Sequence, residues 1–156
     1  MSENHTPKAK EVYDTLCAAL ENRGWHFKKE EDELLVVFGV EGDDIPMNFG
    51  ISVDETRQLV SLLSPMPFKM KEDKRIEGAI ATCAVTSRLA NGCFSYNIQD
   101  GTIAFRVAAS YRESRIGEGL ISYMIDLATA VIDDYNDKFF ALNVGLLDLS
   151  EFLDNN

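Results

Sequence analysis

Two histidines and three cysteines are nearly all that 156 residues offer in the usual metal-binding and nucleophilic side chains. There is no C-x-x-C pair and no H-x-x-x-H spacing, so neither a zinc site nor a redox dithiol is expected. His5 falls in a polar end expected to be disordered, and His26 sits beside Trp25 and Phe27 in a weak, edge-like strand. Cys17, Cys83 and Cys93 fall in helical or strand patterns and are expected to be small buried apolar groups. No serine carries a nucleophile-elbow pattern around it. No catalytic residue, metal or cofactor is assigned, and the chain is expected not to be an enzyme.

Positive charge is also scarce. Fifteen Lys and Arg face 26 Asp and Glu, a net charge of -11. Nucleic-acid binding needs clustered bases that displace counterions from phosphates, and no such stripe exists. An anionic membrane surface is disfavoured for the same reason. No run approaches the roughly 18 apolar residues of a membrane span. The opening MSENHTPKAKEVYDTL lacks the apolar centre of a signal peptide, so a cytoplasmic location is expected.

What is present is a core. Apolar residues make up 46% of the chain, enough for one domain of this length without disulfide or metal. The expectation is one domain over 1–156, with its core at about 7–143 and terminal segments at 1–6 and 144–156.

A first helix is expected from Pro7 to Asn22, with Thr6 as N-cap and Gly24 as stop. WHFKKE is a weak strand. ELLVVFGV is an apolar run, expected to be covered on both faces. MNFGISVD alternates, with Met47, Phe49, Ile51 and Val53 on one face. RQLVSLLS follows after a short turn. A second helix is expected from Glu72 to Ala90, with Ile76, Ala79, Ile80, Cys83 and Ala84 as its core stripe.

LANGCFSYNIQDGTIAFRVA then predicts a helix end and a hairpin turning at Asp100-Gly101. Ile103, Phe105, Val107, Ala109 and Tyr111 share the core face of the returning strand, and Thr102, Ala104, Arg106, Ala108 and Ser110 share the other. A third helix runs from Gly119 to Leu142 with a wide apolar stripe. The tail LNVGLLDLSEFLDNN holds a short amphipathic turn. Short connections between strands predict an antiparallel sheet with helices on one side, an α+β fold in the order α-βββ-α-ββ-α.

Other patterns reduce to local structure. IGEGLIS lacks the third glycine of a dinucleotide fingerprint and no parallel βαβ unit surrounds it. Asp43-Asp44 suits a turn, and Asp133, Asp134 and Asp137 suit a solvated helix face. SPMPFKM, Ser64 to Met70, is expected to be a loop pinning the second helix, or else an adaptable contact surface.

Three pieces together resemble the YbjN family of bacterial sensory-transduction regulators, which is similar in fold to type III secretion chaperones. They are MNFGISVDETRQLVSLLS, the stretch from PFKMKEDKR to DGTIAFRVAASY, and GLISYMIDLATAVIDDYND. The resemblance implies a type III secretion chaperone-like domain that binds protein as a chaperone or regulator, often as a homodimer, with no cofactor and no catalytic residue. Candidate contact residues are Phe38, Phe49, Ile51, Phe68, Tyr96, Phe105 and Tyr123. The face of Cys93 to Asn97, or the third helix, is the expected dimer patch. The competing expectation is a small-ligand pocket or unrecognised active site on the sheet, near Arg106, Asn97 and Tyr111.

Overall fold

Alternation in the strands and helical periodicity between them produce one layered domain in the computed structural model, which describes residues 4–154. Helix α1, Pro7–Asn22, begins with the Thr6 hydroxyl accepting the Ala9 N–H and with proline in the first turn. Four strands follow: β1 Lys28–Glu30, β2 Leu35–Glu41, β3 Pro46–Asp54 and β4 Leu59–Lys69. Helix α2, Arg75–Thr86, comes next, then β5 Cys93–Asn97 and β6 Thr102–Ser110. Helices α3, Glu118–Val144, and α4, Leu149–Asp154, close the chain. The six strands form one antiparallel sheet in the order β1-β2-β3-β4-β6-β5.

One face of that sheet is the core. Met47, Phe49, Ile51 and Val53 of β3 point inward, as do Val60, Leu62 and Met66 of β4 and Ile103, Phe105 and Val107 of β6, all buried. Helices α1 and α3 lie against this face, and α2 and α4 pack near its β5 end. Phe94 meets Phe105 and Phe139 edge-on at centroid distances of 5.5 and 5.1 Å, and Phe139 meets Phe152 at 5.5 Å.

Several expectations change. The stripe assigned to α2 is its outer face: Ile76 is 71% exposed, Ile80 43%, and Cys83 is exposed as well. Its inner face is Gly78, Ala81, Thr82 and Val85. Close approach decides this. A Cβ on Gly78 would sit 2.7 Å from the Tyr96 hydroxyl and 2.8 Å from Met70 Cγ, so only the small-residue face fits against the sheet.

SPMPFKM is not a loop but the second half of β4. Its prolines are tolerated because β3 pairs with β4 only as far as Leu63, and a register shift against β6 falls between Pro65 and Lys69. β2 is covered on one face only, with Val36 and Phe38 buried and Leu35 and Val37 half-buried on the other.

The ends are tied in. His5 Nδ1 lies 2.7 Å from a Glu55 carboxylate oxygen, and His5 Nε2 lies 3.0 Å from the Asp32 carbonyl. Phe152 of α4 is fully buried. Among the described residues no helix is long and apolar enough to cross a membrane.

Candidate functional site

The helices cover one face of the sheet and leave the other open. The register gives that open face residue by residue. A central row crosses it from Val37 on β2 through Gly50 on β3 and Leu63 on β4 to Arg106 on β6. One neighbouring row holds Leu35, Ser52, Ser61 and Ala108; the other holds Gly39, Asn48, Pro65, Ala104 and Ser95. Short side chains around two apolar ridges make a shallow groove of about 960 Å³. Its concavity shows at Ala104, which points to this side yet is only 7% exposed. Leu63 is 45% exposed at its centre.

Charge is balanced here, although the molecule is strongly acidic. The face carries Lys28, Lys69 and Arg106 against Glu30, Glu41 and Asp54. Among the described residues the Arg106 guanidinium makes no hydrogen bond or ion pair, and its cross-strand neighbours are Leu63 and Cys93. Arg57, at the rim, reaches Asp54 at 3.9 Å.

The two sheet edges are less accessible. Phe94 on β5 turns its N–H outward, where the Thr86 hydroxyl of α2 accepts it at 3.0 Å. β1 is three residues long and carries Lys28, Lys29 and Glu30. Short length, charge and a capping helix are the usual guards of an open edge.

The candidate contact residues distribute unevenly. Phe38, Phe49, Ile51 and Phe105 are 7%, 2%, 0% and 0% exposed and face the helices, which puts them out of a partner's reach. Phe68 is partly buried against Phe140, with ring centroids 5.6 Å apart. Tyr96 is partly buried and its hydroxyl donates to the Arg75 carbonyl at 2.6 Å. Tyr123, 47% exposed, stands on α3, away from the groove. The residues that line the groove, Val37, Gly50 and Leu63, were missed because alternation marks the apolar face of a strand and these belong to its complement.

The polar trio expected for a pocket does not converge. Tyr111 is buried on the core side, its hydroxyl donating to the Asp54 carbonyl at 3.4 Å and its N–H to the Gln58 carbonyl at 3.0 Å. Burial pushes its pKa above that of an ordinary tyrosine. Asn97 accepts the Gln99 N–H in the hairpin turn.

The acidic residues do turn work. Asp133 accepts the Asp43 N–H at 3.0 Å, docking the β2–β3 turn on α3. Loss of solvent, followed by the nearby Asp137 carboxylate, pushes the pKa of Asp44 above the usual carboxylate value. Among the described residues no three His, Cys, Asp or Glu side chains are placed to hold a metal ion. In IGEGLIS, Gly117 caps α3 and Glu118 accepts from Asn22 Nδ2 at 2.6 Å.

No family model and no curated protein matches the sequence. Among solved structures the fold is similar to that of YbjN from E. coli, described as a proposed transcription regulator. The two share 12% identity with a TM-score of 0.60, over 81% of this chain and 92% of that one. An identity that low carries the fold, a single α+β domain of YbjN type, and not the activity.

Proposed function

We propose that this chain is a non-enzymatic, cytoplasmic protein-binding module, regulatory or chaperone-like, that takes its partner on the open face of the sheet. One observation carries the reading: the face opposite the helices combines exposed Leu63, half-buried Val37 and a groove of small side chains, in a region free of the molecule's acidic surplus. The groove's form favours a macromolecule. A small ligand is held in a pocket that covers most of its surface, whereas this one is wide and shallow. The fold's likeness to a proposed transcription regulator fits a regulatory role. With a net charge of -11, direct contact with nucleic acid is not part of the proposal.

The test is capture of partners by the tagged protein from its native cytoplasm, beside Leu63→Asp and Val37→Asp variants. Both side chains lie on the open face, so circular dichroism is expected to show folded variants. One dominant partner, lost from both, supports the reading. Partners held equally by all three proteins overturn it.

Self-association is proposed as a second property, supported by the outward stripe of Ile76, Ile80 and Cys83 on α2. An isologous contact would place this stripe against its copy. Light scattering is expected to give a dimer that Ile76→Glu with Ile80→Glu dissociates. Only a 17.4 kDa species at micromolar concentration removes the proposal.

A further inference from the structure

We propose that the open sheet face takes an amphipathic helix of a partner protein, one that carries a carboxylate to pair with Arg106. This rests on the protein-binding reading above and names its partner's chemistry.

The first step concerns the partner's backbone. Along the row from Val37 to Arg106 each strand is already paired on both sides, and the two sheet edges carry the Thr86 contact and the short charged β1. An extended segment lying on the face would find no backbone partners and would bury its own N–H and C=O groups unpaired. A helix satisfies its own backbone and docks through side chains alone. The groove fits that mode. Between the ridges of Val37 and Leu63, Gly50 has no side chain, and a Cβ there would have only ordinary contacts, 3.7 Å from Leu35 and 4.0 Å from Val37. A side chain of the partner drops into that space.

The second step concerns charge. Arg106 stands in the row between Leu63 and Cys93, with no hydrogen-bond or ion-pair partner among the described residues. Covering it with an apolar surface would strip water from the guanidinium with nothing to replace it, which disfavours the complex. A carboxylate in the covering segment removes that cost and matches the guanidinium with two parallel hydrogen bonds. Since the acidic surplus lies off this face, its repulsion of an acid approaching here is weakened by screening.

The third step is spacing. Strands lie about 4.8 Å apart, so Val37 and Leu63 are about 10 Å apart across β3, and Arg106 about 5 Å further. At about 1.5 Å per residue these spans correspond to an apolar residue at i, another near i+7, and an acid near i+10 or i+11. The residue entering above Gly50 falls at i+3 or i+4. All four positions lie on one helical stripe.

The experiment is selection of a phage-displayed library of random peptides, about 16 residues long, enough for a helix to cross four strands. Selection is on the wild-type protein, with counter-selection on Leu63→Asp. Expected are peptides with apolar residues at helical spacing and a Glu or Asp at one fixed offset. Their affinity, read by fluorescence anisotropy, is expected to fall about tenfold or more in Arg106→Gln. It is expected to recover when Arg106→Glu meets a peptide carrying Lys at the acidic offset.

Peptides that need Leu63 but bind Arg106→Gln as well as wild type overturn the carboxylate pairing and leave the docking face standing. Enriched peptides with a period of two overturn the helix. No peptide sensitive to Leu63→Asp overturns both this inference and the reading beneath it. A homodimer abolished by Leu63→Asp means that a second copy covers the face, and overturns the inference too.

Discussion

Glu55 holds the entry to α1. Its carboxylate lies 2.7 Å from His5 Nδ1 and accepts the Thr6 N–H at 2.7 Å. The His5 contact first, and the Thr6 N–H second, hold its pKa below the ordinary 4.5. A carboxyl whose folded value is depressed is worth stability above its unfolded value, and that stability is lost as the pH falls through the folded value. Glu55→Gln is therefore expected to lower the melting temperature by a few degrees at neutral pH. The gap should close as the pH drops below 4.5, which calorimetry at several pH values reads out. Gly101 shows a backbone requirement instead. Its φ is +80°, its carbonyl accepts the Met70 N–H at 2.8 Å, and a Cβ would collide with the Met70 carbonyl oxygen. Gly101→Ala is expected to cost more than about 1 kcal/mol in chemical denaturation, the collision adding to the left-handed strain.

Among the elements, α2 separates what periodicity reveals from what it hides. Ile76, Ala79, Ile80, Cys83 and Ala84 form an apolar stripe by any count, yet the helix turns Gly78, Ala81, Thr82 and Val85 inward. Hydrophobicity ranks faces by transfer from water. It carries no information on the distance between Tyr96, Met70 and the helix axis, and that distance chose the face. The strands were legible for the opposite reason. In β3 and β6 one face must be apolar and every residue alternates, so register follows directly from pattern. The candidate site was illegible for a related cause: Val37, Gly50 and Leu63 belong to three separate strands and become neighbours only through pairing. Thr86 gives this scale its own prediction. Thr86→Ala leaves the Phe94 N–H without its acceptor at the sheet edge. Stability is expected to fall by about 1 kcal/mol, and amide exchange at Phe94 to accelerate relative to Ser95, as followed by NMR.

The whole molecule is closed by its last helix. Phe152 of α4 packs on Phe139, which packs on Phe94, which packs on Phe105 in the sheet. A segment that composition marks as a tail thus completes an aromatic chain running from α4 through α3 into the sheet. Phe152→Ala is expected to cost about 3–5 kcal/mol in urea unfolding, the value of a fully buried phenyl ring. A mere surface tail would lose less than about 0.5 kcal/mol. Asn143 adds a polar tie at the same end, accepting the Lys71 N–H at 2.7 Å and donating to the Lys69 carbonyl at 3.0 Å. The C-terminal part of α3 is thereby fixed to the chain leaving β4, so the helical layer and the sheet should unfold together.

The guarded sheet edges have a consequence for how much of this protein a cell can hold. An unguarded strand is a template for its own kind, and copies that pair edge to edge grow into filaments as their concentration rises. Lysines along one edge and a threonine hydroxyl at the other work against that growth. The face opposite the helices is left as the part of the sheet open to other molecules.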